Sequence, residues 1–255
     1  MLDKVIDINS LFQARLLNEM FVVDKTGVKT VEILNAAFEA DEDYIVRPPN
    51  TEYIKREIEW YESQSLDVND IPGDTPAIWK AVSDKNDKIN SNYGYLVHSE
   101  DNYSQYLSVL AELGENPQSR RANMIYTRPA IQMEAFSNGM SDFICTNNVQ
   151  YFIRDGKLIT SVYMRSNDAV FGYNNDLAWQ KHVRDSLIDD LEIDTYKRYL
   201  PGPIYWNVGS LHVYERHFKF LEEPHDYRTG HYEIPSKNMI HVGTEQPKGS
   251  PFNPG

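Results

Sequence analysis

The 255-residue sequence contains one cysteine, Cys145, in the stretch DFICTNNVQYFI. A lone cysteine is most often a small buried hydrophobic residue. Here the polar residues Thr146, Asn147 and Asn148 follow it directly, and they could hydrogen-bond a reacting group. A thiol attacks as the thiolate, which requires positive charge or hydrogen-bond donors nearby. Cys145 is therefore a candidate nucleophile if cationic side chains fold next to it.

Two groups of arginines could supply that charge. Arg120 and Arg121 are adjacent and precede the apolar segment MIYT, and Arg165 follows an apolar strand directly. An arginine pair usually lies in a solvated turn, but guanidinium groups also bind phosphate dianions through two parallel hydrogen bonds. Ser166 and Asn167 could add donors beside Arg165. We therefore expect a phosphate site without a glycine-rich loop, because the sequence has neither a Walker motif nor GxGxxG.

The acidic residues and histidines have ordinary structural interpretations as well as catalytic ones. Glu57 lies in a charged predicted helix, where a surface salt bridge is the default, and Asp176 opens a predicted helix, where the helix dipole favours a carboxylate. A lone histidine such as His212 is more often structural. A hydrolase dyad of Cys145 and His212 fits the residue types but leaves the arginines without a role. His212 and His217 lack a common metal-ligand spacing, and we predict no metal.

Length and composition predict one folded domain, 1–255, with a loose Pro- and Gly-rich tail over about 221–255. The net charge of -13 argues against binding duplex DNA or anionic lipid through the overall field, so we expect no direct nucleic-acid or membrane partner. No apolar stretch is long enough to span a bilayer, and the N-terminus lacks a secretory pattern. We therefore expect a reducing, cytoplasmic location.

Residue patterning predicts the elements that must position these side chains. The elements are predicted from three signals: apolar residues at helical or alternating spacing, helix-capping residues and turn dipeptides. The elements are a strand over 29–40, a helix from Asn50 or Thr51, a helix capped by Ser99 and ended at Gly114, a hairpin at Asp155-Gly156, a helix from about 175 to 192, and a strand from 202 that runs into a turn or short helix. Since helices and strands do not alternate strictly, the predicted fold class is α/β (α+β), with a mixed, largely antiparallel sheet packed with helices.

The order of these motifs resembles that of the thymidylate synthases over Lys25 to Phe218. The family spacing is matched by SRR, C-x4-Q beginning at Cys145, DGKL, RSNDAVFG and GSLHVY. Within that superfamily, INSNYG, CTNNVQY, NDLAWQK and WNVGSLHVY look like the bacteriophage deoxycytidylate hydroxymethylases. Thr146 replaces the histidine typical of thymidylate synthases, and KGSPFNPG does not match their folate-closing C-terminus. The resemblance implies a thymidylate-synthase-like fold with the sheet at a dimer interface.

The resemblance assigns a role to each candidate residue. Cys145 corresponds to the nucleophile that adds to C6 of a pyrimidine, Glu57 and Tyr93 to an acid–base and water network, and Asp176 to the residue that reads the base. The other assignments are phosphate binding for Arg165, Ser166 and Lys25, phosphate binding across the interface of a homodimer for Arg120 and Arg121, sugar binding for His212 and Tyr214, and folate binding for Trp79 and Asp168.

Asp176 stands where thymidylate synthases carry an asparagine that reads uracil. Cytosine offers N3 as an acceptor and N4–H2 as a donor, and a carboxyl that shares a proton with N3 and accepts from N4 complements it. One mismatched buried polar pair costs about 1–3 kcal/mol, so this position could set a preference of roughly 10–100-fold.

The implied reaction converts dCMP, methylenetetrahydrofolate and water into 5-hydroxymethyl-dCMP and tetrahydrofolate, and supplies a modified nucleotide for phage DNA. Three alternatives stay open. The chain could act on dUMP as a hydroxymethylase, it could be a thymidylate synthase, or it could be a catalytically dead scaffold subunit.

Overall fold

The computed structural model describes residues 2–24 and 27–222. Lys25, which the sequence assigns to phosphate binding, and residues 223–255 of the predicted tail lie outside the described residues. The first two residues of that predicted tail, Leu221 and Glu222, belong to a short helix, and Leu221 is buried. No helix in the described part of the chain is long and apolar enough to cross a membrane.

Strands and helices are interspersed along the described residues. They are, in chain order, β1 Asp3–Lys4, α1 Val5–Leu17, β2 Val22–Val23, β3 Lys29–Glu39, α2 Thr51–Glu62, α3 Ala77–Val82, α4 Tyr93–His98, α5 Gln105–Glu115, β4 Asn123–Ile125, α6 Ile131–Glu134, β5 Thr146–Arg154, β6 Lys157–Asp168, α7 Gly172–Thr195, β7 Leu200–Tyr214 and α8 Lys219–Glu222.

All seven of these strands join one sheet, in the order β1-β3-β7-β6-β5-β4, with β2 paired to β3. The pairs β2/β3, β3/β7, β4/β5 and β5/β6 are antiparallel, and β1/β3 and β6/β7 are parallel. The predicted mixed, largely antiparallel sheet is confirmed. The parallel pair lies at the centre of the sheet, so the carboxyl ends of β6 and β7 meet at one edge.

Local sequence signals explain several of the element boundaries. Asp155 and Gly156 both have positive φ, 51° and 71°, as a two-residue hairpin turn between β5 and β6 requires. Asn50 caps α2, because its side chain accepts a hydrogen bond from the Tyr53 backbone N–H at 3.1 Å. A register shift in β5 falls between Thr146 and Asn148, directly after Cys145. Such an irregularity re-aims the side chains at the end of a strand.

The helix predicted from Ser99 to Gly114 is interrupted. Ser99 caps only a single 3-10 turn, and Tyr103 and Ser104 then adopt positive φ, so α5 begins at Gln105. Neither residue is a glycine, and the sequence therefore carries no ordinary signal for the break. Gly114 lies inside α5 rather than beyond its end.

The helices α4, α5 and α7 pack against the sheet, and α2 packs against α4 and α7, around a core rich in aromatic side chains. Gly94 allows α4 to touch α2, since a Cβ atom at this position would lie 1.7 Å from the Tyr61 carbonyl oxygen. This close approach stacks the buried rings of Tyr61 and Tyr93 with centroids 5.3 Å apart. The core thereby fixes the position of Tyr93.

Candidate active site

A cavity of about 900 Å³ opens where the carboxyl ends of β6 and β7 meet the first turns of α7. Helices α2, α3 and α4 and the segment before β5 complete its walls. Ten residues that the sequence assigns to the site line this cavity. They are Glu57, Trp79, Tyr93, Cys145, Arg165, Ser166, Asp168, Asp176, His212 and Tyr214. Most of the predicted site is therefore brought together within one chain.

Cys145 and Arg165 form the reactive corner of the cavity. The Arg165 Nη2 donates to the Cys145 sulfur at 3.4 Å, and the guanidinium lies over the Phe143 ring. Burial raises the pKa of Cys145 to about 11, while the charge of Arg165 acts in the opposite direction. The cation that the sequence required is present, but the thiol stays protonated at neutral pH in the isolated chain.

Arg165 is held in place by main-chain carbonyl groups. Its Nε donates to the Ile144 oxygen at 2.9 Å and its Nη2 donates to the Phe143 oxygen at 2.6 Å. A guanidinium has five N–H donors, and these bonds leave the two on Nη1 for a ligand. Ser166 follows on the same strand and also lines the cavity. Together the two residues suit an anion next to Cys145.

Glu57 is buried, with 5% of its surface exposed, so the default interpretation of a surface salt bridge is wrong. The Tyr53 hydroxyl donates to Glu57 Oε1 at 2.6 Å, and Trp79 Nε1 donates to that hydroxyl at 2.8 Å. Burial raises the pKa of Glu57 to about 7, although hydrogen bonds from Tyr53, Trp79 and Asn175 oppose the shift. A carboxyl with this pKa can accept or release a proton near neutrality.

Asp176 is the second carboxyl of the cavity. It lies in the second turn of α7, which begins at Gly172, so it is not the helix-opening carboxylate that the sequence favoured. Burial, and after it the nearby charge of Glu57, raise the pKa of Asp176 to about 8. Hydrogen bonds from Asn167 and Tyr93 act in the opposite direction. Asp176 is therefore largely neutral at pH 7.

The amide of Asn167 is engaged with Asp176 and does not serve an anion. Its Nδ2 donates to Asp176 Oδ2 at 2.7 Å, and its Oδ1 accepts from Trp206 Nε1 at 3.2 Å. Asn167 is only 3% exposed. The sequence-based suggestion that Asn167 adds a phosphate donor beside Ser166 is therefore wrong.

Asp142 ties the segment before Cys145 to the start of α4. Its Oδ2 accepts from the backbone N–H groups of Asn90 and Ser91 at 2.7 and 2.8 Å, and its Oδ1 accepts from the Ser91 hydroxyl at 2.7 Å. Two residues further on, Tyr93 accepts a hydrogen bond from Thr146 at 3.0 Å. The nucleophile and the tyrosine are thus positioned by the same two segments.

The predicted sugar and folate residues lie on other walls of the cavity. His212 packs edge-on against Tyr214, with ring centroids 4.9 Å apart, near the end of β7. Asp168 ends β6 opposite His212 in the strand register and accepts from the Val170 backbone N–H at 3.0 Å. Trp79 lies in α3 and packs edge-on against Trp60.

Arg120 and Arg121 do not line this chain's cavity. Both are exposed, and Arg121 forms an ion pair with Glu112, with Nη2 at 3.1 Å from Oε2. The Arg120 carbonyl accepts from Gln150. One chain therefore supplies only part of the predicted phosphate-binding set.

Sequence reasoning missed Tyr53, Asp142 and Trp206 as site residues. Tyr53 has no catalytic motif around it, although its spacing of four residues from Glu57 places the two on one helix face. Asp142 lies three residues before Cys145, but no pattern indicated that it caps a distant loop. Trp206 acts through a contact between two strands that the sequence does not reveal.

Comparison with known proteins places the chain among nucleotide-modifying enzymes. The family model described as "Thymidylate synthase" matches residues 12–239. The chain is 57% identical over 221 residues, 86% of its length, to the deoxycytidylate 5-hydroxymethyltransferase of Enterobacteria phage T4, covering 89% of that protein. Its identity to the phage T2 protein of the same name is 58% over 219 residues, which cover 86% of this chain and 88% of that protein.

More distant similarities are to proteins named thymidylate synthases. A thymidylate synthase of Bacillus atrophaeus is 27% identical over 66% of this chain and 72% of its own length. The solved structure of thermostable thymidylate synthase A from Bacillus subtilis superposes with a TM-score of 0.62 and 20% identity, covering 86% of this chain and 83% of the other. This likeness confirms the predicted thymidylate-synthase-like fold.

The raised pKa of Asp176 predicts a pH-dependent stability. Between the ordinary value of 3.8 and about 8, the folded chain binds a proton here more tightly than the unfolded chain, so this group's contribution to stability falls as pH rises through that range. Asp176→Asn removes the ionisation. We expect its melting temperature to gain on the parent by about 3 °C or more at pH 8 and by little near pH 4.5. The control Asp189→Asn, exposed on the same helix, should show no such pH-dependent gain. A gain of equal size at both pH values would contradict the prediction.

Proposed function

The chain belongs to the thymidylate synthase family, and we propose that it is a deoxycytidylate 5-hydroxymethyltransferase. The substrates are dCMP, methylenetetrahydrofolate and water, and the products are 5-hydroxymethyl-dCMP and tetrahydrofolate. The observation that carries the choice of base is the buried carboxyl of Asp176, whose pKa burial raises to about 8, in the cavity that Cys145 also lines. Because the most similar relatives named above are phage enzymes, we expect it to supply modified nucleotide for phage DNA in the host cytoplasm.

A neutral carboxyl can recognise cytosine. Its O–H donates to N3 and its carbonyl oxygen accepts from N4–H2, so both polar edges of the base are paired. An ionised carboxylate offers only acceptors and would leave N3 without a donor. A buried polar group without a partner costs about 1–3 kcal/mol, which corresponds to a preference of roughly 10–100-fold. The raised pKa of Asp176 keeps the competent form available at neutral pH.

Cys145 supplies covalent activation of the base. C5 of a pyrimidine is a weak nucleophile, and addition of the Cys145 sulfur to C6 turns C5 into an enamine carbon that can attack. Arg165, 3.4 Å from the sulfur, favours the thiolate that adds. After C5 has bonded to the one-carbon unit, loss of the C5 proton and of tetrahydrofolate leaves an exocyclic methylene on the base. Water then adds to that methylene carbon, the C6–sulfur bond breaks, and Cys145 leaves as the thiolate.

Glu57 is the residue best placed to handle the water. Its pKa of about 7 lets it take a proton near neutral pH, and its hydrogen bond from Tyr53 fixes the carboxyl. The buried Tyr93, which hydrogen-bonds Thr146, completes the polar network on this side. Glu57 thus orients water or removes its proton as the water attacks.

The remaining walls suit the phosphate, the sugar and a folate. Arg165 and Ser166 face an anion, and His212 and Tyr214 hold the sugar 3′-hydroxyl. A cavity of about 900 Å³ lies near the upper end of the roughly 300–1,000 Å³ usual for one small ligand, which leaves room for a second molecule beside the nucleotide. Trp79 and Asp168 line the part proposed for methylenetetrahydrofolate, which supplies the one-carbon electrophile when bound.

The functional unit is proposed to be a homodimer with shared sites. Arg120 and Arg121 are exposed and stand outside their own cavity, as side chains donated to a partner's phosphate site would be. Lys25 is assigned to the same phosphate group from the sequence resemblance alone. The partner's two charges would also favour the Cys145 thiolate, whose pKa burial raises in the single chain.

Tritium release from C5-labelled dCMP and dUMP tests the reaction and the base. We expect release from dCMP that depends on methylenetetrahydrofolate, with dCMP preferred over dUMP by roughly 10–100-fold. Asp176→Asn should shift the preference toward dUMP, because an amide complements uracil. Release mainly from dUMP would overturn the cytosine assignment and keep the covalent mechanism. No release from either nucleotide would favour a catalytically dead scaffold.

Glu57→Gln tests the role of the buried carboxyl. Because the amide cannot accept a proton from water, we expect formation of 5-hydroxymethyl-dCMP to fall by about 100-fold or more. In the parent protein, kcat/KM should rise with pH through an apparent pKa near 7, and this rise should be absent from Glu57→Gln. Glu59→Gln, on the exposed face of the same helix, is the matched control and should behave as the parent does. If Glu57→Gln formed the product at the parental rate, the proposed role of Glu57 in activating water would be contradicted.

Mixed dimers test the sharing of sites. A Cys145→Ser protein is unfolded and refolded together with an Arg120→Ala/Arg121→Ala protein, each inactive alone. Half of the dimers are hybrids with one intact site of two, so about a quarter of parental activity should return. Cys145→Ser mixed with Arg165→Ala should recover nothing, because both residues belong to the same chain's site. Absence of recovery in the first mixture would rule out donation across the interface.

A further inference from the structure

We propose that Asn167 is a specificity-determining positioning residue, which fixes the proton of Asp176 on Oδ1 and so fixes the order of donor and acceptor that the carboxyl presents to the base. The inference rests on the proposed role of Asp176 as the residue that reads the base. It assigns a cause to the choice of cytosine that Asp176 by itself does not provide.

A neutral carboxyl by itself is ambiguous. Cytosine needs a donor opposite N3 and an acceptor opposite the exocyclic group, and uracil needs the reverse order. Moving the proton from one carboxyl oxygen to the other exchanges these two patterns. Asp176 discriminates between the bases only if something prevents the proton from occupying one of its oxygens.

Asn167 provides that restriction at Oδ2. Its Nδ2 donates to Asp176 Oδ2 at 2.7 Å, and this hydrogen bond is stronger when Oδ2 is the carbonyl oxygen than when it carries the proton, because the hydroxyl oxygen of a carboxyl is the weaker acceptor. The Asn167 side chain is 3% exposed and cannot exchange this bond for one with bulk water. The proton of the neutral carboxyl therefore belongs on Oδ1.

Trp206 prevents the amide of Asn167 from turning over. An indole N–H is only a donor, so the group facing Trp206 Nε1 at 3.2 Å must be the carbonyl oxygen of Asn167. The Asn167 NH2 group must then face Asp176. Trp206 is fully buried and packs edge-on against Tyr173, whose hydroxyl donates to the Glu42 carbonyl at 2.9 Å. The buried core therefore fixes the orientation of the Asn167 amide.

The two hydrogen bonds run in one direction, from Trp206 to Asn167 and from Asn167 to Asp176, because each of them has a single possible donor. With the proton held on Oδ1, Oδ2 has a second lone pair in addition to the one that Asn167 occupies, and Tyr93, which also hydrogen-bonds Asp176, is a hydroxyl that can accept as well as donate. The carboxyl consequently offers one donor and one acceptor in a fixed order. A fixed order complements one base and mismatches the other.

The experiment measures the ratio of kcat/KM for dCMP and dUMP by tritium release in two variants of the full-length protein. Asn167→Leu keeps the branched shape of the side chain and removes its donor, and Trp206→Phe keeps Asn167 but allows its amide to turn. We expect the preference for dCMP to fall about tenfold or more in Asn167→Leu, with an intermediate fall in Trp206→Phe. Thr160→Val, a buried change on the same strand, is the control and should keep the parental ratio.

The outcomes separate this inference from the proposed function. A merely structural role would lower kcat/KM for both nucleotides together and leave their ratio unchanged, which would overturn the inference. If the ratio is unchanged in Asn167→Leu while Asp176→Asn shifts it, Asp176 reads the base without help from Asn167. If Asp176→Asn also leaves the ratio unchanged, the proposed role of Asp176 itself fails. A reduced ratio in Trp206→Phe supports the inference even if Asn167→Leu does not fold.

Discussion

β6 and β7 run parallel at the centre of a sheet whose other long strand pairs are antiparallel. Because of this pairing, Ser166, Asn167 and Asp168 at the end of β6 lie beside Ser210, Leu211 and His212 near the end of β7. Gly209 permits the close contact, since a Cβ atom there would lie 2.8 Å from the Arg165 carbonyl oxygen. With antiparallel pairing, the anion-binding and sugar-binding residues would stand at opposite edges of the sheet. The whole site therefore depends on this one strand pair.

Burial governs the chemistry of the assembled cavity. It raises the pKa of Cys145, Glu57 and Asp176 together, and the last two are brought to about 7 and 8. For the carboxyls this shift is useful, because one must exchange a proton with water and the other must remain able to donate to a base. For the thiol, the raised pKa disfavours the reactive thiolate, and the adjacent Arg165 opposes that shift only in part. The proposed arginines of a partner subunit would offset more of it, and this links dimer formation to reactivity.

The polar contacts behind the reacting groups show a consistent arrangement. Tyr53 supports Glu57, Asn167 supports Asp176, and Asp142 supports the segment that carries Cys145. For Tyr53 and Asn167, the direction of the hydrogen bond is fixed by a further partner, Trp79 and Trp206 respectively. A group held in this way loses little freedom when a ligand binds, which is the basis of preorganisation.

Features that depend on neighbouring residues were predictable from the sequence. The Asp155-Gly156 turn, the Asn50 cap and the β5–β6 hairpin follow from local conformational preferences. The family resemblance located the cavity residues because their order along the chain is retained. The break at Tyr103 was missed, since a positive φ at a tyrosine has no local signal.

The sequence by itself determined the residue types available for chemistry, the family and the approximate bounds of several elements, but not those of α1, α3, α4 or β4. It assigned Glu57 to the surface and Asp176 to a helix end by default, and only the tertiary structure decided their burial and hence their protonation. The sequence also suggested that Asn167 binds a phosphate, whereas in the folded protein its amide donates a hydrogen bond to Asp176. The physical reason is the same in each case. A side chain's solvation and hydrogen-bond direction depend on atoms that are distant along the chain, and these meet only when β6, β7 and α7 pack together.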